Sequence, residues 1–361
     1  MQTRCEIQPL TRLTRPGLNL PTSLLAARPS LDLLRQLELA QLLSVPFEST
    51  ILHVPSSAWT EDPDRAIQLG ESGESVALGE AAFDRIVRER KGGYCFSLNS
   101  VFAALLRHWF RVSDVAARVY GHLDQDPAAK GWSWAPTSHH VLIAGWDGEE
   151  GMWILDGGFG GGQSPYPCVV LLASDGGESA ERLGGKNADD LTSTRIPLQD
   201  GGQPALGETP CPRYKVLHSA LPTNDPAPAP STLALDEPKT WTCYREVTPP
   251  AGPTFWSPYY TFLLQNVAHP DFIVMNHYNS THPSAVFKNF FLSTKLHEDG
   301  SRTTLYFKEP MVAENGEMKG ERCAKLQRTS LAGTKLREEW VAMKVRPIKA
   351  VLEHDFGFVF G

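Results

Sequence analysis

The sequence has no apolar run near the roughly 20 residues that a membrane-spanning helix needs. Its first residues, Met1-Gln2-Thr3-Arg4-Cys5-Glu6-Ile7, lack the apolar core of a secretory leader. Both absences lead us to expect a cytoplasmic protein with no membrane partner. Cysteine is scarce: six residues (Cys5, Cys95, Cys168, Cys211, Cys243 and Cys323) and no CxxC pair. That excludes a disulfide framework, suits a reducing compartment and offers no zinc-ligand spacing, so no metal is expected. Positive charge is in deficit, with a net charge of -7, which argues against nucleic acid as a general partner. What is present is ordinary for a soluble globular protein: 361 residues, 41% hydrophobic and 21% charged, enough for two or three domains.

The pattern changes along the chain. Residues 1–112 read as a helical domain. Ser30 can cap a helix whose stripe is Leu33, Leu34, Leu37 and Leu42, broken by Val45-Pro46-Phe47. Residues 113–238 read as a β meander that forms a small barrel, with a long loop insertion from 174 to 239. His140 to Trp146 is strand-like, Asp147-Gly148 marks a hairpin turn, and Met152 to Leu155 returns. Residues 239–361 read as a third, α/β unit: Tyr259 to Leu264 and Thr303 to Phe307 as strands, Lys335 to Met343 as a closing helix.

The most informative segment is Lys91-Gly92-Gly93-Tyr94-Cys95-Phe96-Ser97-Leu98-Asn99. Upstream, Phe83, Ile86 and Val87 share one helical face, and Arg88, Arg90 and Lys91 crowd its last turn before the glycine stop. Downstream, Val101, Phe102, Leu105, Leu106 and Trp109 recur at helical spacing. Cys95 therefore opens a helix, where orphan N–H groups and the dipole favour a thiolate. Glycines before it would let a substrate carbonyl come close.

A cysteine nucleophile needs a base, and the base needs an orienting group. The hairpin supplies both types: His139 or His140 at the start of one strand, Asp156 at the end of the other. Strand alternation lets only one histidine face Cys95, and spacing alone does not choose between them. The run Gly157-Gly158-Phe159-Gly160-Gly161-Gly162 lets backbone pass close to a ligand, but it has neither P-loop nor GxGxxG spacing.

These residues resemble the arylamine N-acetyltransferases. The family's Arg-Gly-Gly-x-Cys followed by Asn is matched by Lys91 to Cys95 and Asn99, and its Val-Pro-Phe-Glu-Asn by Val45 to Ser49. The histidine segment is matched by Ser138-His139-His140-Val141-Leu142-Ile143, the aspartate segment by Leu155 to Gly160, and a later Ser-Thr-His-Pro-x-x-x-Phe by Ser280 to Phe287. The resemblance implies an α+β fold: an N-terminal helical bundle, a central β barrel and a C-terminal α/β lid, with a papain-like Cys95-His139-Asp156 triad. It selects His139 because that residue follows the Ser/Thr position, and it implies a substrate-binding set of Phe159, Phe47, Gly157, Ser280 and Thr281. Lys91 for Arg, Ser97 for Glu or Gln, and Ser49 for Asn are departures; we expect Lys91 to pair with Glu48.

The implied activity is ping-pong acyl transfer from an acyl-CoA to an arylamine or arylhydrazine through an acyl-cysteine. Acetyl-CoA is the default donor, with malonyl- and propionyl-CoA open, and so is the oligomeric state. A cysteine hydrolase or transglutaminase-like enzyme using the same triad is the alternative.

Overall fold

The computed structural model describes residues 20–148, 152–161, 212–224, 239–249, 251–309 and 322–360, with the backbone of short strands at 168–170, 193–194, 205–206 and 209–210. Ser30 accepts a hydrogen bond from the Leu33 N–H at 3.2 Å and starts helix α1, Leu31–Ser44. Leu33, Leu34, Leu37 and Leu42 are buried along it. The helix stops where Pro46 disfavours helical backbone at Val45, and the chain passes directly into β1, Phe47–Glu48. After α2 (Gly79–Phe83) and one wider helical turn over Asp84–Arg88, the chain enters α3, Cys95–Leu106. Leu98, Val101, Phe102, Leu105 and Leu106 of α3 pack with α1 in the largest core.

The strands follow as β2 (Arg111–Tyr120), β3 (Trp134–Gly145), β4 (Met152–Leu155), β5 (Cys168–Val170), β6 (Ser193–Thr194), β7 (Ala205–Leu206), β8 (Thr209–Pro210), β9 (Tyr214–Ser219), β10 (Thr240–Val247) and β11 (Phe255–Asn266). Eight of them form one sheet in the order β5-β4-β3-β2-β11-β10-β9-β6, while β7 and β8 pair with each other. The large sheet is curled, and β5 comes against β9. The expected boundary at 238 thus falls between two adjacent strands, β9 and β10. The two faces of β2 and β3 serve different cores. Val115, Ala117, Val141 and Ile143 pack with Tyr259, Tyr260 and Phe262, whereas Leu142 and Ala144 pack against the helices.

Helix α4, His269–Thr281, leads to β12 (Phe291–Leu296), β13 (Arg302–Phe307), β14 (Cys323–Thr329), β15 (Lys335–Ala342) and α5 (Val345–Val351). A second antiparallel sheet runs β1-β12-β13-β14-β15, so a strand from the N-terminal region edges a sheet otherwise built from the last third of the chain. The fold is α+β. The helix expected over Lys335 to Met343 is instead strand β15, paired residue by residue with β14. Its helix-forming Lys, Arg and Glu residues suit an edge strand equally, because charge there discourages further pairing. Lys325 and Lys335 both reach Glu338 from the strand surface, and the nearby closing helix is α5.

The expected Lys91–Glu48 pair also does not form. Glu48 is fully buried and takes Arg85, whose Nη2 lies 2.6 Å from Oε1, while Thr50 donates to Oε2 through both N–H and hydroxyl at 2.6 Å. Arg85 also donates from Nε to the Gly92 carbonyl at 3.1 Å, a reach its planar fork permits and a lysine's point charge does not. Lys91 pairs with Glu89 at 2.7 Å and sits over the Phe360 ring. Burial alone would raise the Glu48 pKa, but Arg85 and the Thr50 bonds outweigh it and hold the carboxyl below its usual value. Gly92 has a packing role: a Cβ there would lie 1.8 Å from the Pro46 carbonyl oxygen.

Arg85→Met should strand the Glu48 charge and cost about 3–5 kcal/mol, whereas Lys91→Met, whose partner is half-exposed, should cost less than about 1 kcal/mol. Urea unfolding near neutral pH compares them, and equal losses would contradict the assignment. Because Glu48 is depressed, its contribution is present above the unfolded value of 4.5 and drains as pH falls below it; the difference between wild type and Arg85→Met should shrink in acid. Separately, Gly92→Ala should destabilise by more than about 2 kcal/mol through overpacking, while Gly161→Ala, with nothing within 4 Å, should be near neutral.

Candidate active site

Cys95 is the first residue of α3 and is buried; Ser97 N–H and Leu98 N–H donate to the Tyr94 carbonyl at 3.0 Å, while the N–H groups of Cys95 and Phe96 begin the helix and have no acceptor within it. His139 lies on β3 and Asp156 immediately follows β4, across the hairpin set by the Leu142–Leu155 register. The structure brings all three together. His139 Nε2 is 2.7 Å from Asp156 Oδ2, and Cys95 lies near enough to the same imidazole to act on its titration; with Nε2 on Asp156, Nδ1 is the nitrogen left for the thiol. Burial pushes the imidazole pKa down, but the charges and hydrogen bonds of Asp156 and Cys95 exceed it and lift His139 to about 10. Both partners therefore favour the protonated ring.

Asp156 is held from several sides. Asn99 Nδ2 donates to its Oδ1 at 3.0 Å and to the His140 carbonyl at 2.5 Å. The Gly158 N–H donates to the same Oδ1 at 3.1 Å, and the Asp156 N–H donates to Glu38 Oε1 at 3.1 Å. The glycine run is a close-packing device here. A Cβ on Gly158 would lie 2.6 Å from Cys95 Cα, and one on Gly160, at φ 90, would lie 2.7 Å from the Phe47 ring. A Cβ on Gly157 would touch Gln41 at 3.0 Å.

His140 points to the other face of the sheet, as alternation requires. Its Nε2 lies 3.0 Å from Asp114 Oδ1, and its ring packs on Phe272 at 4.3 Å. Burial lowers its pKa despite Asp114. On the His139 side the walls are aromatic: Phe159 stands edge-on to His139 at 5.4 Å, Tyr260 lies at 5.4 Å, and Phe47 contacts Phe287 at 5.5 Å. Ser280 is buried, with its hydroxyl on Tyr94 at 2.8 Å and on the Val76 N–H at 3.2 Å. Thr281 donates back along α4 to the His277 carbonyl at 2.7 Å.

Sequence reasoning missed Glu38 and the aromatic pair Tyr259 and Tyr260, and gave Asn99 no role. Asn99 stands one helical turn after Cys95, and Glu38 is an acid inside the apolar stripe of α1; both signals were present in the spacing.

The model of the N-acetyltransferase family matches residues 30–178 and 225–332. An arylamine N-acetyltransferase / N-hydroxyarylamine O-acetyltransferase of Salmonella typhimurium is 34% identical over 134 residues, 37% of this chain and 38% of that relative's length. The solved arylamine N-acetyltransferase of Salmonella typhimurium superposes with a TM-score of 0.57 at 20% identity, covering 97% of this chain and 90% of the other. That of Mycobacterium marinum in complex with CoA gives 0.55 at 18% identity, covering 97% and 93%. With a family match over more than half of its residues and the same fold throughout, the chain belongs to the arylamine N-acetyltransferase family.

Proposed function

We propose that this protein is an acyl-CoA-dependent arylamine N-acyltransferase that works by a ping-pong mechanism through an acyl-Cys95 intermediate. The observation that carries the reading is the buried juxtaposition of Cys95, His139 and Asp156, with His139 bonded to Asp156 at 2.7 Å and Cys95 beside the same imidazole. The Cys95 thiolate attacks the thioester carbonyl of the donor, and backbone N–H groups at the start of α3 receive the developing oxyanion. The tetrahedral intermediate expels CoA sulfur, which takes its proton from His139. An arylamine or arylhydrazine then attacks the acyl-cysteine, His139 accepts the amine proton, and the thiolate departs. Asp156 fixes the ring and balances its charge throughout.

A relative solved with CoA supports a CoA thioester as donor. Acetyl-CoA is the default; malonyl- and propionyl-CoA are the alternatives. The aromatic walls formed by Phe159 and Phe47 suit an aryl acceptor, with Gly157, Ser280 and Thr281 completing the substrate-binding set. In this reading α1–α3 form the helical bundle, the curled sheet the barrel, and the second sheet with α5 the lid. Three described cysteines that are all free fit work in a reducing compartment such as the cytoplasm. Among the described residues no helix is long and apolar enough to cross a membrane.

Intact-mass measurement after exposure to acetyl-, propionyl- and malonyl-CoA, with no amine present, should show one acyl increment that Cys95→Ser lacks. An increment on Cys95→Ser would remove the mechanism, and rapid loss of the acyl group without amine would assign a hydrolase instead. His139→Gln should lower transfer on the order of 10³-fold or more, while His140→Gln, on the opposite face, should keep most of it. The reverse order would refute the chosen histidine. The raised His139 pKa also has a stability signature. The stability it contributes is full below the unfolded value of 6.5 and drains as pH rises toward about 10. Asp156→Asn removes the main charge behind that shift, so unfolding free energies measured from about pH 6 to about pH 10 should show a flatter alkaline decline; an unchanged slope would count against the pair.

A further inference from the structure

Glu38 is a buried acid beside Asp156 that the mechanism above does not use. It lies on α1 among Leu34, Leu37 and Leu42, 1% exposed, where the helix pattern calls for an apolar residue. Its Oε1 accepts the Asp156 N–H at 3.1 Å. Its Oε2 has no hydrogen-bond partner, and Gln41 Nε2 and Asn99 Oδ1 share that condition. These side chains border one short stretch of backbone: a Cβ on Gly157 would lie 3.0 Å from Gln41 Cγ and 3.6 Å from Asn99 Oδ1.

Two carboxyl groups this close in a buried place cannot both be anionic without cations to share. Asp156 has donors on both oxygens: His139, Asn99 and the Gly158 N–H. Glu38 has one backbone N–H, and the only charge acting on it among the described residues is that of Asp156. The proton therefore belongs to Glu38. Burial foremost, with the Asp156 charge adding, holds its pKa well above the usual carboxylate range against the opposing Asp156 N–H bond.

We propose that Glu38 is a positioning residue for acyl transfer: as an uncharged carboxylic acid it grips the backbone of Asp156, so that Asp156 is the single carboxylate facing His139. The role rests on the triad reading and deepens it. An apolar residue at 38 would leave the Asp156 N–H buried and unpaired, and the loop carrying Asp156 would shift to find another acceptor. Shifts of about 1 Å in a catalytic group cost on the order of 10²-fold in rate. An ionised Glu38 would place a second anion behind the site and divide the field that fixes the imidazolium.

Two full-length variants separate these features. Glu38→Gln keeps a carbonyl acceptor for the Asp156 N–H and carries no charge, so kcat and the rate of Cys95 alkylation by iodoacetamide should stay within about 3-fold of wild type. Glu38→Leu removes the acceptor, so kcat and alkylation should fall together by about 10- to 100-fold with the KM for acyl-CoA little changed. Infrared difference spectra near pH 7 should show the carbonyl stretch of a protonated carboxylic acid in wild type that Glu38→Gln lacks. A folded Glu38→Leu with wild-type kcat overturns the proposal. So does a Glu38→Gln variant as impaired as Glu38→Leu, or the absence of the protonated-acid band. If Glu38→Leu does not fold, the glutamine variant and the infrared band decide. If no acyl-CoA acylates wild-type Cys95, the acyltransferase reading fails by itself, while alkylation and infrared spectra still judge Glu38.

Discussion

A carboxylate sealed from water must be met by donors or by a cation, or it will not stay ionised. Asp156, 5% exposed, is that carboxylate, and much of the surrounding structure answers its demands. One oxygen takes the imidazolium; the other takes an amide from α3 and a backbone N–H from its own loop. Supplying those donors fixes where three elements must lie. α3 has to present Asn99 one turn below Cys95, the β3–β4 hairpin has to set His139 against Asp156, and the loop after β4 has to fold back over the cysteine. The last requirement explains Gly158, because any side chain there would occupy the space of Cys95 Cα.

A second buried charge braces the approach to the nucleophile. Glu48 ends the short strand that edges the second sheet, and Arg85 ties it to the carbonyl of Gly92. The Glu48 N–H donates to the Gly93 carbonyl at 2.9 Å, and the Pro46 carbonyl packs on Gly92 where a Cβ would stand. The glycines before Cys95 thus let two backbones touch. In this way the second sheet, the helical turn Asp84–Arg88 and the approach to α3 are joined at one point, three residues from Cys95. Loss of the ion pair would loosen the entry to the helix as well as cost stability.

Local patterns in the sequence carried much of this and failed where partners are remote. The start of α3 was legible because glycines, a cysteine and a helical apolar stripe occur in order. The histidine choice was half legible: alternation says that one of two adjacent residues faces the thiol, and the family resemblance says which. β15 was not legible, since Lys335 to Ala342 carries good helix formers and becomes a strand through pairing with β14, a contact that local spacing does not encode. The Glu48 partner was misread for a related reason. Lys91 is nearer Cys95 in the motif, but the residue that reaches Glu48 is Arg85, on the preceding helical turn, and only its fork can hold a carboxylate and a carbonyl together.

The two adjacent histidines show how little separates a catalytic pair from a structural one. Both are buried, and both face an aspartate within hydrogen-bonding distance. Yet His139 is held protonated and His140 is pushed toward neutrality. Burial lowers both pKa values, but His139 is raised by Cys95 as well as by Asp156, whereas for His140 burial outweighs Asp114 and the neighbouring His139 lowers it further. Asp114 is 21% exposed and also pairs with Arg107. Asp156 has neutral donors apart from His139, and the acid closest to it on α1 bears the proton in our reading. Among the described residues the His139 ring is then the one cation paired with it.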